Sequence, residues 1–304
     1  MFLRPPSWAD DPLRTSSSSS SSPQGSAQSP IVDFVHSLTN QRLYREVSLS
    51  LRTGLRDAKA EFSFLRVKGH RSLTKFLASA VKSEKIIELF LESQSYRELQ
   101  VVPVLFEHTL APPKRDSNEQ QIISAPSSNE INLALRILEG CCLLDTSSRL
   151  LASRHAACKE LLSLLLKCEQ PEQSACLDAL LAVLLDSPAN QKELERIHGV
   201  RKIAELVKRT DMDDTIRLKC AEFLLLLIGQ VLPKQSKPAN GFQNVEGRKS
   251  VLTAEGARQD VVEILGRRAG VVLDAMASTE SAVSDFDTKQ TSLRTLAQRL
   301  VDLS

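Results

Sequence analysis

Few side chains in this sequence are equipped for chemistry, and their spacing decides which kind is open to them. Six cysteines, Cys141, Cys142, Cys158, Cys168, Cys176 and Cys220, and five histidines, His36, His70, His108, His155 and His198, supply the soft ligands and the nucleophiles. His155, Cys158, Cys168 and Cys176 are the group with enough donors for zinc. However, no C-x-x-C pair occurs, and all six cysteines fall inside apolar helical patterns. We read them as reduced, buried thiols that act as small hydrophobes. The histidines sit at expected helix ends, where capping or surface roles suffice. No Gly-rich phosphate cradle, G-x-S-x-G elbow or H-E-x-x-H helix is present, and no His-Cys is followed five residues later by Arg as a cysteine phosphatase requires. The sequence thus predicts no catalytic residue, no metal site and no cofactor.

What remains is charge. Arg52, Arg56, Lys59, Arg66, Lys68, His70, Arg71 and Lys75 gather in the first third, and Arg196, Arg201, Lys202, Lys208 and Arg209 further on. Lys and Arg (39) nearly balance Asp and Glu (37), and aromatic residues make up only 4%, so neither a phosphate-tracking field nor a base-stacking platform is expected. The basic groups read as solvated helix faces or, more sharply, as a docking surface for an acidic partner segment. The longest apolar run, Leu224 to Ile228, falls far short of the roughly 20 residues of a membrane span.

These groups must be positioned by helices. From Ser147 to Gln230 one helical pattern is written twice, with a shift of roughly 42 residues that suits an armadillo or HEAT unit. Leu161, Leu162, Leu164 and Leu165 fall at the offset of Ile203, Ala204, Leu206 and Val207; after two residues of drift, Cys176, Leu180, Leu181 and Leu184 meet Cys220, Leu224, Leu225 and Ile228. The last block of each copy is apolar nearly all round, which predicts a helix enclosed by neighbours and hence stacked units. Pro171 and Pro188 open helices, Asp211, Asp213 and Asp214 crowd the start of the final one, and Gly199 ends a short one.

The remaining chain is read around that block. Residues 1–30, with seven consecutive serines, read as a disordered tail in which Ser22-Pro23 and Ser29-Pro30 are either targets of proline-directed kinases or part of a plain solvated leader. An all-α repeat domain spans 31–230, beginning with a helix from Val32 that turns at Lys68 and Gly69 and carrying an exposed Pro-rich loop at 111–128. A helix follows that loop, with Gly140 admitting a close neighbour. Residues 231–256 are a linker, and 257–304 form C-terminal helices that pack on the last repeat, with a break near Gly270.

LLDTSSRLLASRHAACKELLSLL, SPANQKELERIHGVRKIAELVKR and RLKCAEFLLLLI together resemble the cell division control protein 14 family of the septation initiation network, which is distinct from the phosphatase of the same name. Ser148 and Arg149 after an apolar helix, Asn190 with Gly199, and Lys219, Glu222, Phe223 and Leu224 carry the resemblance. It implies an armadillo-type, non-catalytic partner of a germinal-centre-type protein kinase, acting in cytokinesis in the cytoplasm and at the spindle pole body. Arg196, Arg201 and Lys202 are then the expected partner contacts. The competing reading is a generic armadillo-like adaptor in which Asn190 clamps the backbone of an extended peptide. The oligomeric state is not legible.

Overall fold

The computed structural model describes residues 30–111, 124–232, 252–282 and 286–303. The serine-rich tail, most of the loop read at 111–128 and most of the linker read at 231–256 lie outside them. Among the described residues there are fourteen α-helices and no strand, so the protein is all-α. They are α1 (Pro30–Ala58), α2 (Ser63–Ala80), α3 (Glu84–Ser93), α4 (Val101–Leu105), α5 (Ser128–Leu144), α6 (Thr146–Arg154), α7 (Ala157–Lys167), α8 (Gln170–Leu184), α9 (Pro188–Arg196), α10 (Gly199–Lys208), α11 (Asp214–Leu226), α12 (Ala254–Leu265), α13 (Arg267–Ala282) and α14 (Phe286–Asp302). Wide π-type turns at Phe106–Leu110 and Leu227–Val231 extend α4 and α11.

Two units divide the chain, and the first ends at Gln41, within α1. Its described part is the opening of that helix, where Ile31, Phe34, Val35 and Leu38 are exposed. The second unit holds everything from Arg42 onward. Within it α2, α5, α8, α11 and α14 lie side by side in a row, each against the next. This explains why α8 is apolar nearly all round. With α5 on one side, α11 on the other and α7 across it, Ala175, Cys176, Leu177, Ala179, Leu180, Ala182, Val183 and Leu184 are all buried.

The row is tied by polar groups as well as by packing. Ser128, opening α5, meets Glu172 of α8, while Gln170 at the start of α8 donates to Asp213 (3.1 Å) and Thr215 (2.6 Å) at the start of α11. Midway along, Asp178 of α8 accepts Arg136 of α5 at 2.9 Å and Lys219 of α11 at 2.8 Å, so one carboxylate bridges three helices. Between α2 and α5 the tie is deeply buried: Arg66 reaches Glu130 at 2.5 Å and also donates to the carbonyls of Ala60, Glu61 and Ser124, while Glu130 accepts Ser63 and Thr109. Such saturation is what makes a buried ion pair tolerable.

Several sequence readings are corrected here. The first helix does not turn at Lys68 and Gly69; it stops at Ala58, and α2 runs straight through both. Gly69 is needed for proximity, since a Cβ there would lie 2.4 Å from the Ala58 nitrogen where α1 and α2 cross. Gly140 is not needed in that way, because a Cβ would stand an ordinary 3.6 Å from Leu77. The C-terminal break falls at Gly266 (φ 92°), and Gly270 lies inside α13. Arg66 and His70 are no part of a basic surface, being 1% and 0% exposed.

Candidate functional site

The matched sequence blocks fold as matched triplets, α6–α7–α8 and α9–α10–α11. In both, the corner between the short and the middle helix is made by one residue in the left-handed region, Ala156 (φ 52°) and His198 (φ 53°), at equivalent places in the two copies. Gly199 therefore does not end the short helix. That helix stops at Arg196, and Gly199 opens α10 with its missing side chain leaving room for Leu194, whose Cδ1 would lie 2.2 Å from an added Cβ.

That second corner stands off from α7 and leaves an open groove of about 540 Å³. Lys159, Leu162, Ser163 and Leu166, one face of α7 at helical spacing, form one wall, and Arg196, Ile197, His198 and Lys202 form the other. Leu162, Leu166 and Ile197 supply an aliphatic floor, while Lys159, Arg196 and Lys202 supply cations. Arg196 and Lys202 are exposed, and among the described residues no carboxylate lies within ion-pair distance of either. Lys159 has a loose pairing with its neighbour Glu160 at 3.6 Å. Beside the groove, half-buried Glu193 accepts the Lys159 backbone N–H at 3.4 Å, a carboxylate at the positive end of α7; burial holds its pKa above the usual carboxylate range. The arrangement can seat an acidic segment that also carries apolar side chains.

Of the predicted partner residues the groove gathers Arg196 and Lys202 but not Arg201. Arg201 faces α12 and pairs with Asp260 (3.3 Å) and Glu263 (2.9 Å), which hold its pKa above the ordinary value. Asn190 corrects a second reading. It is wholly buried, and its amide nitrogen lies 2.9 Å from the Arg149 carbonyl, 3.0 Å from that of Val183 and 2.8 Å from the Ser187 hydroxyl. It ties α9 to α6 and is closed to any incoming peptide.

Most residues of the sequence pattern lie inside the packed helices. Ser148 is buried beside its capping partner Asp145, and Arg149 contributes its carbonyl to Asn190. Lys219 joins Asp178, Phe223 and Leu224 lie in the core, and half-buried Glu222 makes no hydrogen bond among the described residues. Lys159, Leu162, Leu166 and His198 were not among the expected partner contacts. The available signal was the repeat offset itself, which pairs Lys159 with Arg201.

The thiols stay protonated at neutral pH. Burial pushes Cys142 and Cys220 up to about 12, holds Cys141, Cys158 and Cys176 well above the usual thiol range, and raises Cys168 as well. A nucleophilic thiolate needs the opposite shift. Cys158 donates to the Asn190 carbonyl and His155 lies flat on Phe106, so the zinc grouping weighed above does not converge. Among the described residues no three His, Cys, Asp or Glu side chains are placed to hold a metal ion, and no helix is long and apolar enough to cross a membrane.

Fold and groove together define an all-α protein whose open cationic surface lies between matched helical triplets. The family model for cell division control protein 14, SIN component, matches residues 113–293, and the chain belongs to that family, which is not the phosphatase of the same name and which bears on septation initiation. No curated protein matches the chain. A solved structure, the crystal structure of an engineered protein, aligns with a TM-score of 0.43 at 14% identity, covering 83% of this chain and 95% of that one.

Proposed function

We propose that this SIN-component chain is a non-catalytic scaffold or regulatory subunit that binds a germinal-centre-type protein kinase of the septation initiation network and thereby supports cytokinesis. The observation that carries the reading is the groove: three cations over an aliphatic floor, open to solvent, on a family member whose thiols are all held protonated. Such a surface suits contact with another protein and does not desolvate acid, base and nucleophile together. We read the two triplets as armadillo/HEAT-like units within a domain over 31–230, with the helices of 257–304 closing its end, working in the cytoplasm and at the spindle pole body.

The test is affinity capture from the native cell with full-length protein, wild type against Arg196→Glu/Lys202→Glu, followed by peptide identification. The kinase is expected with wild type and strongly depleted with the variant, at an unchanged melting temperature. Equal recovery from both would remove the groove from the kinase contact, and no kinase in either would overturn the reading.

A further inference from the structure

We propose that the groove docks an acidic amphipathic helix of the partner protein, seated on α7 as this chain's own α12 is seated on α10. The inference deepens the docking reading above and rests on it for the partner, while its chemistry comes from a comparison inside the molecule. α12 packs along α10 and also against α13 and the Leu227–Val231 turn, with Ala257, Val261 and Leu265 buried, while its Asp260 and Glu263 take the Arg201 guanidinium. Under the repeat offset, Arg201 corresponds to Lys159, and Ala204, Glu205 and Lys208 correspond to Leu162, Ser163 and Leu166. The face of α7 that lines the groove is thus the counterpart of the α10 face that includes Arg201.

The two faces differ in what meets them. Arg201 has two carboxylates from a helix roughly 60 residues away in sequence, whereas among the described residues Lys159 makes an ion pair only with its adjacent Glu160. Lys202 and Arg196 add two further cations on the opposite wall of the groove. One triplet upstream the corner is already covered, because His155, the counterpart of Ile197, stacks on Phe106 with ring centres 5.5 Å apart. The groove at Lys159 is therefore flanked by one position covered by an aromatic contact and one where an acidic helix takes Arg201 over the buried Ala204, while Glu205 and Lys208 of that face stay exposed. The complement of its lining is a helix with aliphatic residues four apart and carboxylates beside them, the pattern that α12 shows. Helix-in-groove recognition of this kind reads the apolar anchors for affinity and the charges for register.

The experiment titrates full-length protein with a fluorescein-labelled, stapled peptide of the α12 sequence, Ala254 to Leu265. The control is the same peptide carrying Asp260→Lys and Glu263→Lys. Wild-type protein is expected to bind the acidic peptide about tenfold or more tightly than the control, with affinity falling as salt is raised. Lys159→Glu/Lys202→Glu should lose about tenfold with an unchanged melting curve. Arg201→Glu, which loosens the resident α12 without touching the groove, should bind the peptide as wild type does. Equal binding of both peptides, or undiminished binding by Lys159→Glu/Lys202→Glu, would overturn the proposal, as would loss confined to Arg201→Glu. Dimerisation in sedimentation that the groove variant abolishes would make a second copy the occupant and overturn it too. Kinase recovery is scored separately: unchanged recovery alongside lost peptide binding sinks the kinase reading alone, and lost recovery alongside unchanged peptide binding sinks this one alone.

Discussion

The row of long helices and the α7 groove are built from the same residue types and treat them in opposite ways. Along the row every cation that ties neighbours has an acid to meet: Arg66 has Glu130, and Arg136 and Lys219 share Asp178. In the groove, Arg196 and Lys202 stand over leucine, and among the described residues neither makes an ion pair, the half-buried Glu193 acting on Arg196 only from a distance. Saturated charges inside a packed interface specify which helix lies beside which. Unsaturated ones beside an apolar floor are available to something else. The contrast separates architecture from interaction using polar partners rather than residue composition.

Breaking the row should hurt most at its most buried tie. Arg66→Ala leaves the Glu130 carboxylate enclosed without its cation, and denaturant unfolding should show a loss of about 3 to 5 kcal/mol. A loss below about 1 kcal/mol would mean that the pair is solvated and the contrast overdrawn. Asn190→Leu, near in size, strips the amide from the Arg149 and Val183 carbonyls and should remove about 2 to 4 kcal/mol by the same assay.

His70 offers a pH test of the same buried end. Burial lowers its pKa from the ordinary 6.5 to about 4, with Glu130 opposing and Arg66 reinforcing the shift, and both ring nitrogens lack partners. Between those values the unfolded chain binds a proton that the folded one refuses. Stability from the neutral ring is therefore intact above pH 6.5 and falls as the pH drops toward 4, by about 3 kcal/mol in all. His70→Leu should flatten that part of the stability profile; an unchanged slope would assign it to other groups.

Smaller effects sharpen the other side. Asp178→Ala should cost about 1 kcal/mol, because Asp178, Arg136 and Lys219 all keep some contact with solvent. Arg196→Glu/Lys202→Glu should shift the melting temperature by no more than about 2 °C, since both side chains are exposed and neither makes an ion pair among the described residues. A larger shift would place these residues in the architecture and erase the distinction between groove and row.

How far the sequence reached differs between these regions for physical reasons. Periodicity depends on which residues are apolar, so the all-α class and the run of short, middle and long helices between Thr146 and Leu226 were legible. Burial of the cysteines followed from the same pattern. Orientation depends on crossing geometry, which no local pattern encodes. Asn190 looked like a surface clamp, yet three positions after Ser187 it turns inward, because the carbonyls of α6 and α8 lie there to receive it. Arg201 read as a free cation until the fold brought Asp260 and Glu263 to it from far along the chain. Lys159, next to Glu160, carried only the offset that matches it to Arg201, until the fold set Arg196 and Lys202 across from it. The sequence by itself determined the helical class and the apolar faces of the helices, because these follow from residue spacing within one segment. Only the tertiary structure decided which charges are spent between helices and which remain outward, because an ion pair is a matter of distance between segments.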